Sequence, residues 1–252
     1  ALALAAALYG AVVGKVVEVA STRVAEAAKL TENIFRAVNI ALVNELKVIY
    51  DGLGVDIWEV IEAAKTKPFG YMAFYPGPGL GGHCIPIDPF YLAWKSRQHG
   101  RTTRFIELAG EINPAMPGYV VDRLAEALDR RQGRTVGGAR ILLLGVSYKK
   151  NVADTRESPA LRLIDLLEQR GAKADYHDPH LPEIPLTHGF AHLAGRRSAP
   201  LDAESVKGYD AVVIVTDHDC IAYEILGNAR LVVDTRNACG QRGLVFDHTV
   251  SA

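Results

Sequence analysis

Cysteine, net charge and long apolar runs are all scarce in this sequence, and each shortage removes a class of protein. The three cysteines, Cys84, Cys220 and Cys239, are an odd number with no metal-type spacing, which argues against a disulfide framework and for a reducing, cytoplasmic setting. A formal net charge of −1, with Lys and Arg scattered along the chain, leaves no electrostatic footprint for nucleic acid. The one apolar run near a terminus, ALALAAALYGAVVG, has no basic residue ahead of it and stops at Lys15; a membrane-spanning helix needs about 20 apolar residues, so no membrane partner is expected. The sequence does not begin with Met, and this run reads as the end of a core helix whose earlier partners lie outside it.

What is present is enough apolar material, 49% of 252 residues, for one large core or two modest ones. Residues 21–52 read as one long helix, capped by Ser21 or Thr22 and ended by Gly52 and Gly54. Its apolar positions, from Val24 and Leu30 through Phe35 and Leu42 to Ile49, cover more than half the circumference. Such a helix is expected to be buried on most sides and to pack against a second copy in a two-fold homodimer. Asp56 and Glu59 form a capping-box pattern for a second helix. Residues 68–86, with four glycines and three prolines from Pro76 to Pro86, form a loop that brings backbone close to something. Asp88 and Pro89 then read as N-cap and first residue of a helix ending near Gly100, with further helices at 103–112 and 117–131. From Arg140 the pattern becomes short strands (RILLLG, KADYHD, YDAVVIVT, RLVVDTR) alternating with helices. The fold class is therefore α/β: an all-α central region followed by a Rossmann-like doubly wound parallel sheet. The boundaries fall at 1–20 for a leading remnant, 21–131 for the helical region, 132–139 for a linker and 140–252 for the sheet domain. Ligands of such sheets bind beyond the carboxyl ends of the strands, which nominates Tyr148, Lys149 and Lys150 after the first strand and Arg236 after the last.

Cys84 stands in a glycine-rich loop just before a helix start, where backbone N–H groups and the helix dipole favour a thiolate and can hold an oxyanion. The competing reading is a small buried hydrophobe. Lys29 and Asn33, four apart, share a helix face and can act as oxyanion donors, or form a solvated polar seam. Asp88 can be a helix cap or can hold a water near the thiol. His177, His180, His188 and His192 complete no recognised metal spacing, so no metal is assigned. For His83 a loop-shaping role weighs as much as acid–base duty.

Five motifs, KLTENIFRAVNIALVNE, GPGLGGHCIPIDPFYLAWK, GVSYKKNVADTRESPAL, YHDP and VVDTRN, occur in order and nearly span the chain. In them the sequence resembles the UDP-glucose/GDP-mannose dehydrogenase family. The resemblance implies an NAD-binding domain, a central region dimerising through a long helix, and a C-terminal UDP-sugar-binding domain, with residues 1–20 as the remnant of the first. No G-x-G-x-x-G stands between a strand and a helix, and GPGLGG follows a loop, so most of the NAD site is expected to lie outside these residues. The implied reaction is oxidation of a sugar C6 alcohol to the carboxylate with two NAD, through a thioester on Cys84. Lys29 and Asn33 would stabilise the oxyanion and Asp88 would activate or orient water. By the same resemblance Tyr75, Gly77, Gly79, Leu80, Gly81, Tyr148, Lys149 and Arg236 would contact the UDP-sugar, and Arg156 the NAD. His83 and Ile87 replace the Ser and Lys of the UDP-glucose branch, and TKPFGY with FYPGPGLGG looks most like the UDP-N-acetylglucosamine branch. UDP-glucose, UDP-N-acetylmannosamine, and an inactive dimerising UDP-sugar-binding module are the alternatives.

Overall fold

The computed structural model describes residues 1–252 as a helical region followed by an α/β sheet. Helix α1 (Leu2–Gly10) has no buried residue. Helix α2 (Thr22–Leu53) starts where Ser21 accepts the Val24 N–H and stops at Gly54, whose φ of 69° only glycine adopts easily. Asp56 caps α3 (Ile57–Ala64) by accepting from the Trp58 N–H, but Glu59 is exposed and makes no reciprocal bond, so the capping box is half formed. Two helices follow, α4 (Cys84–Gln98) and α5 (Arg104–Gln132), and both pack on α2.

Three expectations are corrected here. The helix α4 begins at Cys84, with His83 in the cap position, so Asp88 and Pro89 lie inside it rather than at its start. The helix tolerates Pro89 because it lies close to the amino end, where the missing N–H leaves only the Ile85 carbonyl, near the first turn, without its helical donor. The helices expected at 103–112 and 117–131 are one helix, α5, which runs through Pro114 and Pro117. Within one chain α2 buries only one face, made of small and polar residues: Asn33, Ala37, Ala41, Val43, Asn44 and Lys47. Ala37 and Ala41 let α4 and α5 approach closely, while Phe35, Leu42, Ile49 and Leu53 remain exposed.

The sheet runs β1 (Arg140–Leu144), β2 (Lys173–His177), β3 (Ala211–Ile214), β4 (Val232–Asp234) and β5 (Thr249–Ser251) in chain order. All pairings are parallel, in the spatial order β2-β1-β3-β4-β5. Strands β1, β3 and β4 are buried on both faces, as their continuous Leu, Ile and Val runs require. One face packs on α6 (Pro159–Gln169) and on the second half of α5, where Val120, Val121, Leu124 and Leu128 enter the same core as Ile141, Val213 and Leu163. The other face packs Leu142, Leu144, Val212 and Ile214 on Val206 of α7 (Ala203–Lys207) and on Tyr223 and Leu226. Chain order reverses between β1 and β3, so the crevice beyond their carboxyl ends is the topological switch point.

Candidate active site

The loop from α3 to α4 crosses the seam between the two regions. Tyr75 stacks on Trp58 with ring centroids 5.7 Å apart, and its hydroxyl donates to Glu62 at 2.8 Å. Beyond it the Gly77 N–H donates to Asn44 Oδ1 at 3.0 Å. Asn44 donates in turn to Asn113 at 2.9 Å, and Asn113 to the Ala37 carbonyl at 3.1 Å. Both asparagines are buried, so their amides must be paired, and pairing them fixes the loop on α2 and α5. The other side of the loop lies against the sheet domain. A Cβ on Gly77 would collide with the Arg236 guanidinium, and one on Gly81 would stand 2.6 Å from Tyr148 Cβ and 2.9 Å from the Glu157 carbonyl oxygen. The Gly82 N–H donates to the Arg156 carbonyl at 2.8 Å. These glycines thus admit protein neighbours from the strand ends.

The loop delivers Cys84 to the first position of α4, with its side chain exposed among the N-terminal N–H groups. Asp88 lies four residues on, hence on the same helix face. Its Oδ2 accepts from Asn33 Nδ2 at 2.6 Å, and Asn33 Oδ1 accepts from Arg36 at 2.6 Å. Asn33 is completely buried, so Arg36, Asn33 and Asp88 form an ordered chain leading to the thiol's helix. Lys29 does not share this setting. Its side chain is 55% exposed and pairs with Glu32 at 3.4 Å, so of the two residues on this helix face only Asn33 is bonded to Asp88. Arg156, whose carbonyl accepts from Gly82, has an exposed guanidinium that Asp154 holds in a double hydrogen bond of 2.7–3.1 Å, which raises its pKa.

At the carboxyl edge of the sheet, Tyr148 is half-buried against Gly81, and Lys149 is exposed with its ammonium 5.5 Å from the Tyr148 ring centre. Arg236 donates through Nε to the Val215 carbonyl at 2.9 Å. Burial pulls its guanidinium below the ordinary value, with Asp217 and Asp234 opposing. Tyr75 and Arg236 both line a cleft of ≈ 710 Å³, with Trp58, Lys65, Asp217 and Asn237. Gly79 and Leu80 line a different space, an apolar cavity of ≈ 280 Å³ behind the loop, with Ile85, Phe90, Ile106 and Pro117. The eight residues expected to contact substrate are therefore divided between the two sides of the loop.

Sequence reasoning missed the buried polar groups that hold these parts. Besides Asn44 and Asn113 they include Lys47, which reaches Ser251 of β5 at 3.0 Å and whose pKa burial lowers. Asp178, at the end of β2, is the largest omission. It accepts from the N–H groups of Val146, Ser147 and His180, the Ser147 hydroxyl and His218 Nε2, at 2.8–3.1 Å. Burial, the largest single influence, pushes its carboxyl pKa up, but the hydrogen bonds from His218, His180 and Ser147 together outweigh it and hold the carboxyl well below the usual range. The signal was there in YHDP and TDH, two polar motifs placed directly after strand patterns.

Residues 23–115 match the model of the UDP-glucose/GDP-mannose dehydrogenase family, central domain, and residues 142–241 that of the same family's UDP binding domain. The chain is 36% identical over 218 residues to a UDP-N-acetyl-D-mannosamine dehydrogenase of Methanococcus maripaludis, covering 86% of this chain and 46% of that one. It is 35% identical over 198 residues to a UDP-N-acetyl-D-glucosamine 6-dehydrogenase of Pseudomonas aeruginosa, covering 79% and 45%. The structure of UDP-D-ManNAc dehydrogenase from Pyrococcus horikoshii superposes with a TM-score of 0.82 at 32% identity, covering 99% of this chain and 56% of that one. The chain spans about half the length of the relatives it matches. No helix is long and apolar enough to cross a membrane.

Proposed function

The chain belongs to the UDP-glucose/GDP-mannose dehydrogenase family, and from that premise we propose that it is the catalytic and nucleotide-binding part of an NAD-dependent UDP-N-acetylhexosamine 6-dehydrogenase. The observation that carries the proposal is Cys84, exposed at a helix start, with Asp88 on the same helix face and locked to buried Asn33. A thiolate there adds to the C6 aldehyde of the sugar to give a thiohemiacetal, whose oxygen meets the N–H groups of the first turn of α4. Loss of two electrons and a proton from that carbon gives a thioester. Water then adds to the thioester, Asp88 takes its proton, and the thiolate leaves, returning Cys84 and the uronate. Asn33, completely buried, keeps Asp88 oriented. Lys29 joins this group only by turning away from Glu32, and Lys29→Ala measures whether it does.

NAD, when bound, supplies the electron acceptor for both oxidations. Of the residues here, Arg156 fits such a group, because its guanidinium is exposed and its backbone carbonyl is tied to Gly82, two residues before Cys84. The cleft lined by Tyr75 and Arg236 has the size and the cation for the nucleotide, and Lys149, exposed after β1 at the carboxyl edge of the same sheet, is the residue assigned to the phosphates. Relatives acting on the gluco and the manno N-acetyl sugars are about equally similar; the motifs favour UDP-N-acetylglucosamine. The exposed apolar row of α2 supports a two-fold dimer through that helix.

In the full protein, Cys84→Ser should abolish steady-state uronate production and accumulate a covalent ester, because an alkoxide leaves less readily than a thiolate. Undiminished turnover, or label from substrate on Cys220 or Cys239, would overturn the mechanism. The 252-residue chain alone should form no NADH from NAD and UDP-N-acetylglucosamine, yet UDP should raise its melting temperature. Parallel assays with the two N-acetyl epimers and UDP-glucose decide the sugar.

A further inference from the structure

The loop after β1 carries exposed Lys149 at the carboxyl edge of the sheet and takes a left-handed turn at a non-glycine residue, Asn151, where φ is 62°. A non-glycine residue in that conformation must be held by its surroundings. Asn151 and Asp219 bond each other twice, at 2.6 and 3.1 Å, and Lys150 reaches Asp219 at 3.2 Å, but these groups are exposed and such contacts hold weakly. The strong tie is internal. The Asn151 N–H lies 3.0 Å from Nδ1 of His218, whose side chain is completely buried. A backbone N–H can only donate, so Nδ1 carries a lone pair and the ring proton is on Nε2, which gives it to Asp178 at 3.1 Å. Asp178 thereby sets the tautomer of His218, and His218 sets the height of the loop.

We infer that His218 is a positioning residue for nucleotide binding: its Nδ1 lone pair fixes Asn151 and so holds Lys149 where it meets the phosphates. The inference rests on the nucleotide reading of Lys149 given above. It differs from a merely structural role because the two nitrogens of one ring carry different consequences. In His218→Asn the side-chain oxygen replaces Nδ1 and keeps the acceptor for Asn151 while the bond to Asp178 is lost. In His218→Gln the amide nitrogen replaces Nε2, keeping the bond to Asp178 and leaving the Asn151 N–H without its acceptor.

The test is calorimetric titration of UDP into the 252-residue chain and its variants. Lys149→Ala should weaken binding about tenfold or more, His218→Gln should weaken it by at least about threefold, and His218→Asn should stay within about twofold of the parent. Equal losses in both His218 variants, or no loss in His218→Gln while Lys149→Ala binds weakly, would overturn the positioning role. No loss in Lys149→Ala would instead remove the nucleotide reading of Lys149. Amide hydrogen exchange of the parent chain is a second readout, one that does not depend on the variants folding. The Asn151 amide should be protected to the level of the neighbouring strand ends, and exchange as fast as an open loop would overturn the inference.

Discussion

Replacing Asp178 with Asn tests how much of the sheet domain depends on one carboxylate. Oδ2 accepts four hydrogen bonds, from two backbone N–H groups, a hydroxyl and His218, and Oδ1 accepts one from the His180 N–H. An asparagine will keep its oxygen at the Oδ2 position, since the opposite orientation faces four donors with an NH₂. It then loses the charge on four bonds and sets its NH₂ against the His180 N–H. With charge-assisted bonds worth roughly 1.5–3 kcal/mol, neutral ones about 1, and an unpaired buried donor costing about 1–3, the net loss is at least about 3–4 kcal/mol, near the low end of what these values allow. Urea unfolding of a domain this size has a slope of roughly 2 kcal/mol per molar, so the midpoint should fall by about 2 M at about pH 7. The folded carboxyl pKa lies below the unfolded value. Its stabilisation is therefore fully present above the ordinary Asp value of about 3.9 and is lost as pH falls through the folded value. The gap between parent and variant should be widest at neutral pH and should narrow below about pH 4. A midpoint within about 0.3 M of the parent at about pH 7 would refute the reasoning, as would a gap that is the same at about pH 3.

Gly81→Ala should lower the melting temperature by several degrees, at roughly 1–3 kcal/mol for an overpacked contact, and weaken UDP binding with it, because the added methyl meets Tyr148 and the Glu157 carbonyl; an unchanged melting curve would place the loop elsewhere. Iodoacetamide in mildly alkaline buffer should label exposed Cys84 and Cys220 and spare Cys239, whose thiol burial and the neighbouring Asp234 push up to about 12, a pattern that peptide mass spectrometry reads directly. Sedimentation at micromolar concentration should give a dimer, and Leu42→Glu together with Ile49→Glu should give a monomer; a monomeric parent would leave the apolar row of α2 unexplained.

The parallel sheet was legible because buried strands must be written in Val, Ile and Leu, and the strands at 140–144, 211–214 and 232–234 were visible that way, with 173–177 readable from its alternation. The fifth, Thr249–Ser251, is three residues long and half-buried, too short and too polar to carry a pattern. The start of α4 was misplaced because Asp-Pro is a strong local start signal, whereas the true start is set by docking of Gly77–Gly82 onto the sheet domain, a tertiary cause. The single helix α5 was read as two because proline breaks the local rule. Pro117 leaves the Asn113 carbonyl without its helical donor, and Gly79 passes beside that oxygen, 3.4 Å from where its Cβ would be. Around the thiol, the spacing of Cys84 and Asp88 was readable, and so was Asn33. The exposure of Lys29 was not, since its pairing with Glu32 depends on side-chain direction rather than helix phase.

The contact between Gly77 and Arg236 has an evolutionary corollary. The two positions are far apart in the chain, one in the loop that ends at the thiol and the other just after β4, yet the guanidinium occupies the volume that any side chain at 77 would need. A side chain at 77 can enter only if the guanidinium moves. A relative that carries even alanine at the first position has to shorten or swing away the arginine at the second, and in doing so gives up the cation of the cleft. Across divergent sequences a side chain at 77 should appear together with a displaced or shortened residue at 236, so that a change in the loop beside Cys84 leaves its trace in the sheet domain as well.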